Sequence, residues 1–345
     1  MPVAEIRLAA DRVLDSAEFI NRTSQDVSVP LNGVKAAAQK IMQRMQQIGY
    51  STAEWKKNTL TPSVADSAAI EWIFVVDSLN FSFWTDKPQA NQYTVSLDGQ
   101  AYRGYWTLCA AVNRAMREGI PITDAAYCAG ITREQVSYIF RTDDTETQEP
   151  IPMLDERVSV LNEIGRVLLE KYQGKFSNVL RQAQGSAQRL VEMVVRDFTC
   201  FRDEHMYMDR MVCIYKRAQI LAADLWACFE GKGQCQFADI DNITMFADYR
   251  VPQALCHFGA LNYSERLFNY LECKQNGELL ESGHPWEVEI RGNSIWAVEL
   301  IRRQITALGM HVNAILLDFY IWDYAKEFAD EMKGIPIHLT RSVFY

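Results

Sequence analysis

The stretch CIYKRAQILAADLWACFEGKG, residues 213–233, decides the fold class. On a helical wheel Val212, Ile220, Ala223 and Ala227 fall within about 40° of Lys216. The opposite face carries Ile214, Leu221 and Leu225. A helix that is apolar on nearly every side lies inside a helical fold, so 212–230 is expected to be a central helix. Lys216 then sits in an apolar stripe. It needs a partner or a task, because an unpaired buried charge is costly. A lysine that snorkels to solvent, or one paired with an acid for structure, is the plainer reading. Arg217 and Asp224 lie nearly on one face, which suits either an ion pair or two walls of a polar cleft.

Helical patterns continue on both sides. Tyr105–Arg117 (YWTLCAAVNRAMR) is Ala-rich and periodic, and ends before Gly119 and Pro121. Thr132 and Gln135 make a capping box. Residues 155–171, 186–198 and 296–307 read as amphipathic helices, as do residues 1–15. Strand signals are few. NQYTVSL, residues 91–97, precedes Asp98-Gly99 and is hairpin-like; 233–237 and 335–339 are weaker. The expected fold is mainly α, a multi-helix globular fold with a few short β-strands. The acidic stretch RTDDTETQEPIP, residues 141–152, is the linker candidate. It divides one compact unit, 1–345, into sub-domains 1–145 and 150–345.

Composition narrows the function classes. The net charge is -9, which argues against a duplex-DNA or anionic-membrane binder. Residues 122–140 are spaced like a helix-turn-helix, but their second helix offers Arg133 as its cation. GxGxxG and Walker A patterns are absent. The eight cysteines form no CxxC pair and read as reduced core thiols. The five histidines show no HxxxH or HExxH spacing, so neither a metal nor another cofactor is expected. There is no apolar run of about 18 residues and no secretory signal pattern, so a cytoplasmic protein is expected.

Three further stretches place acids beside apolar or aromatic residues. In ITMFADYRVPQ, residues 243–253, Asp248 follows Phe246 and precedes Arg250. Pro252 disfavours helical backbone at Val251, so the acid sits near a break between elements. A structural N-cap or a partner for Arg250 accounts for it equally well. In IEWIFVVDSLNFSFWTD, residues 70–86, Asp77 precedes Phe81, Phe83 and Trp84. Aromatic rings beside an acid suit a flat polar ligand, and also suit plain core packing. In ILLDFYIWDYAK, residues 315–326, Asp318 and Asp323 are about 140° apart on a helix, so they serve different faces.

WIFVVDSLNFSFW, YKRAQILAADLW with the GKG that follows, ITMFADYRVPQ and LLDFYIWDY together resemble the queuosine salvage protein family, the queuosine 5'-phosphate N-glycosylase/hydrolases. The likeness runs in order from about Trp55 onward. It implies a mostly helical architecture similar to helix-hairpin-helix DNA glycosylases, which use a lysine and an aspartate. It also implies hydrolysis of the N-glycosidic bond of queuosine 5'-monophosphate, with queuine released for tRNA modification. Asp248 matches the family's catalytic aspartate, and Lys216 its lysine. Phe246, Asp318 and Asp323 fall where the queuine base is expected, with Asp77 and Phe81 as further candidates. Lys216, Arg217 and Arg250 are the cations available for the phosphate. Some members carry a histidine where WKKNTLTP here has Asn58 and Thr59. The expected partners are the mononucleotide and queuine, with no stable nucleic acid and no membrane. The alternatives are a queuine-binding or nucleotide-binding protein without catalysis, and a glycosylase acting on nucleic acid.

Overall fold

Among the described residues the backbone is mainly α-helical, and its strands pair only as two-stranded antiparallel ribbons. The computed structural model describes residues 9–274 and 279–345. Of the opening amphipathic stretch, residues 1–8 lie outside this range, and a helix covers Ala9–Thr23.

The central helix is Lys216–Cys228, buried at every position except Ile220 and Trp226. It packs against the Ser67–Ser78 and Ala187–Asp197 helices and the Thr52–Lys57 turn. It begins later than the periodicity implied. Arg210–Cys213 is a strand paired with Glu204–Tyr207. Met208 and Asp209, at φ 47° and 59°, make the left-handed turn between them. Such a turn usually declares itself by Asn-Gly or Asp-Gly, and here it does not. Val212 and Ile214 therefore contribute no helix face. Tyr215 is also left-handed (φ 52°), and Lys216 becomes the first helical residue.

The other helices depart from expectation mainly at their ends. Residues 155–171 lie in Leu154–Tyr172, and 186–198 form the Ala187–Asp197 helix with its two flanking residues, Ser186 capping it by accepting the Arg189 N–H. Tyr105–Arg117 and the Thr132 capping box form as read. Residues 296–307 are only the second half of a 23-residue helix, Pro285–Ala307. Its first half buries Glu287, Glu289, Arg291 and Asn293, so a polarity pattern hides it.

The Asp98-Gly99 turn joins Val95–Leu97 to Gln100–Tyr102 as a hairpin. Residues 233–237 are no strand: Gly233–Cys235 is a 3-10 turn. Residues 335–339 form no ladder either; Leu339 only accepts one bond from the Leu280 N–H at 2.9 Å. The acidic stretch 141–152 is tied to the hairpin, with Asp143 accepting from the Ser96 N–H (2.8 Å) and hydroxyl (2.7 Å). The helix-turn-helix lookalike is two short helices, Ala125–Ala129 and Arg133–Ile139, docked on Leu154–Tyr172. No helix among the described residues is long and apolar enough to cross a membrane. All eight cysteines are free, and six of them are buried.

Candidate active site

The start of the Lys216 helix, the loop at 243–249 and the Ala314–Glu327 helix meet around a cavity of about 990 Å³. That is at the upper end of the size range of small-molecule sites, roughly 300–1,000 Å³.

Lys216 reaches this cavity although its residue surface is only 5 % exposed. Its Nζ has one long hydrogen bond, to the Asn80 carbonyl at 3.4 Å. Burial lowers its pKa, and the carboxylates of Asp248 and Asp77 oppose that drop. The lysine is thus held by charge more than by hydrogen bonds, which leaves its donors available.

Asp248 is both a cap and a cavity wall. Its Oδ1 accepts from the backbone N–H of Arg250 (2.8 Å) and of Val251 (2.9 Å), at the start of the Arg250–His257 helix. These bonds fix the carboxyl in orientation and leave Oδ2 outside them. Burial raises the Asp248 pKa, while Lys216 and the two N–H groups pull it down. Its carboxyl thus bonds the first N–H groups of that helix and also lines the cavity, so the structural reading and a site role do not exclude each other.

Asp318 lies next to it. Its Oδ1 accepts from the Phe246 N–H at 2.9 Å, and it also lines the cavity. Burial first, then the Asp248 charge, push its pKa well above the ordinary carboxylate value. A carboxyl whose pKa is pushed up in this way favours its neutral form more than an exposed one does. Phe246 is a lining residue of the cavity, and its buried ring packs on Phe319 at 6.1 Å between centroids. Asp323 lines another part of the wall and accepts the Tyr50 hydroxyl at 2.5 Å. One turn on, Lys326 lies over the Trp322 ring at 4.3 Å and the Trp106 ring at 5.3 Å. Burial lowers its pKa to about 8. Arg250 shares this cavity.

Three of the residues singled out from the sequence lie elsewhere. Arg217 turns away from the cavity and donates to the carbonyls of Ser78 and Cys200, so it makes no pair with Asp224 and is no phosphate ligand of this wall. Phe81 is fully buried beneath the site, with Arg157 at 4.3 Å and Arg217 at 5.3 Å over its ring. Asp77 is fully buried behind Lys216 and off the cavity wall. Burial and the Asp224 charge raise its pKa, against Lys216.

Of the cleft pair suggested by helical spacing only Asp224 reaches the wall, and Lys326 is a charged wall residue that was not foreseen. Asp224, freed from Arg217, faces the cavity, and burial lifts its pKa to about 7 against Trp55 and Lys216. Lys326 closes the quoted stretch ILLDFYIWDYAK, where a cation at the end of an acid-bearing aromatic helix was the available signal. Asn58 also lines the cavity, and its Oδ1 accepts from the Leu60 N–H at 2.9 Å.

Buried acids raised in pKa, an aromatic residue, an acid pinned by two backbone N–H groups and a buried lysine line one cavity of a mainly helical protein, a lining that suits a flat, polar small molecule. The chain belongs to the queuosine salvage protein family, whose sequence model matches residues 60–345. It is 46% identical over 339 residues to a Mus musculus protein described as a queuosine 5'-phosphate N-glycosylase/hydrolase, covering 96% of this chain and 98% of that one. A relative of the same description from Schizosaccharomyces pombe is 41% identical over 350 residues, covering 97% and 99%. One from Sphaerobacter thermophilus is 39% identical over 278 residues, covering 81% and 82%.

Proposed function

We propose that this protein hydrolyses the N-glycosidic bond of queuosine 5'-monophosphate and releases queuine for reuse in tRNA modification. The observation that carries the reading is Asp248: a carboxyl pinned by two backbone N–H groups, on a cavity wall, with the charge of a buried lysine lowering its pKa. The relatives' description as queuosine 5'-phosphate N-glycosylase/hydrolases supports the same reaction.

The chemistry follows from the charges. The C1'–N bond breaks with its electron pair leaving on the base, so positive charge builds on the ribose. The free Oδ2 of Asp248 stabilises that charge or aligns the water that adds to C1'. The water's second proton leaves, and the base takes one up. Queuine is a 7-deazaguanine and has no N7 to protonate, so the departing base must be stabilised through its other polar edges. Asp318 and Asp224, both raised in pKa, are suited to donate there, with Phe246 supplying a face for stacking.

Lys216 acts as a cation. Hydrolysis needs no Schiff base, and a positive charge here keeps Asp248 ionised among other acids. Arg250 and Lys326 take the phosphate, a role in which Lys326 replaces Arg217. Asp323 is left for the queuine side arm and its amine. Residues 1–345 act as one unit, because Asn80 and Tyr105 wall the same cavity as Lys216 and Asp248. The free thiols suit the reducing cytoplasm.

The test is incubation of the protein with queuosine 5'-monophosphate and, separately, with a queuosine-containing oligonucleotide. Free queuine from the mononucleotide alone is expected. Intact mononucleotide after long incubation would leave a binding protein. Release from the oligonucleotide alone would make it a nucleic-acid glycosylase, against its net charge of -9.

A further inference from the structure

The Pro285–Ala307 helix carries a guanidinium that touches both segments delivering the candidate pair. Arg291 is fully buried. Its Nε donates to the carbonyl of Ala247 at 3.0 Å, one residue before Asp248. Its Nη1 and Nη2 donate to the two carboxylate oxygens of Asp203, at 3.0 and 2.6 Å. Nη1 also meets Glu287 at 3.0 Å. Asp203 in turn holds the start of the lysine helix: its Oδ2 accepts from the Lys216 backbone N–H at 3.2 Å, and its carbonyl accepts from the Ile214 N–H at 3.0 Å. The Tyr345 ring, itself part of the cavity wall, covers the guanidinium at 4.0 Å.

We propose that Arg291 is a positioning residue that sets the spacing of Lys216 and Asp248, acting on one through Asp203 and on the other through the Ala247 carbonyl. The proposal rests on the reading of those two as the working pair. Lys216 and Asp248 come from different elements, and no direct hydrogen bond between them fixes their separation. A planar fork with donors in fixed directions is the group that can bind both supports at once. A lysine would keep the charge and lose the geometry.

A purely structural clamp and a positioning clamp differ in kinetics. Displacing a reacting group by about 1 Å costs roughly 100-fold in rate, while Asp318, on the Ala314–Glu327 helix that Arg291 does not bond, still anchors the Phe246 N–H beside the base. Arg291→Lys and Asp203→Asn are therefore expected to lower kcat per queuine-binding site by about 10- to 100-fold, with KM within about threefold of wild type. Counting sites by queuine titration removes any loss of folded protein from the comparison. In Arg291→Ala, methylguanidinium is expected to restore part of kcat without changing queuine affinity. The Lys and Asn variants carry the test if the Ala variant does not fold.

A kcat per site equal to wild type in both Arg291→Lys and Asp203→Asn, with only a lower melting temperature, would overturn the proposal. Asp248→Asn separates this from failure of the underlying pair. If Asp248→Asn turns over normally, the pair is wrong whatever Arg291 does. If it is dead and the clamp variants are normal per site, the pair stands and the positioning role falls.

Discussion

Lys216 and Arg217 are consecutive, on one helix, and both buried, yet they have opposite surroundings. Arg217 donates from Nη1 and Nη2 to two backbone carbonyls and lies 4.7 Å over the Phe201 ring, with its Nε buried and unpartnered among the described residues, so the scaffold engages it away from the cavity. Lys216 has a single long bond and a set of acids around it. Burial alone does not mark a functional charge. What separates the two is direction: Arg217 bonds to backbone carbonyls inside the scaffold, while Lys216 lines the cavity among acids.

The largest effect expected is from Asp248→Asn, which keeps an acceptor for the capping N–H groups and removes the charge. Base release, followed as free queuine, should fall by about 1,000-fold or more, with queuine binding retained. Lys216→Gln comes next, at about 100-fold in kcat, since it removes the cation that keeps Asp248 ionised. Lys326→Met should raise KM about tenfold for the monophosphate and leave the nucleoside unaffected, if the proposed phosphate contact is its role. Arg217→Ala reverses the pattern. It should cost ~3 kcal/mol of stability in denaturant titration, from two orphaned carbonyls and a cavity, with kcat per folded molecule unchanged. Equal kinetic losses for Lys216 and Arg217 variants would erase the contrast between them.

The pH dependence follows from the same shifts. The Asp248 pKa is raised, so activity should be lost as pH falls through a value above the ordinary 3.8. The Lys216 pKa is lowered, so activity should also be lost as pH rises through a value below 10.5. A bell-shaped profile narrower than these ordinary values would define is the expected result.

Local pattern alone left each acid with a structural reading, and the candidate site became legible through the family resemblance. Asp248, Lys216, Phe246, Asp318 and Asp323 stand in unusual strings, and the structure brings all five to one cavity. What escaped depends on tertiary contact. Helical spacing placed Arg217 beside Asp224, but the Arg217 side chain follows the Ser78 and Cys200 carbonyls, which are distant in sequence. The strand at 210–213 escaped because its turn uses Met208 and Asp209 rather than glycine. Arg291 escaped because its helix buries charged residues that periodicity reads as exposed. The mainly α class survived these errors, since it rested on several long periodic segments rather than on any one boundary.

The central claim is that Lys216 works by keeping the Asp248 carboxylate charged at the reacting carbon. The pH dependence of kcat for Lys216→Gln, measured beside wild type, tests it most directly. Without the cation, burial is opposed only by the backbone N–H groups and Arg250, so the acid limb should move to higher pH. An acid limb that stays in place, with kcat reduced equally at every pH, would contradict the account.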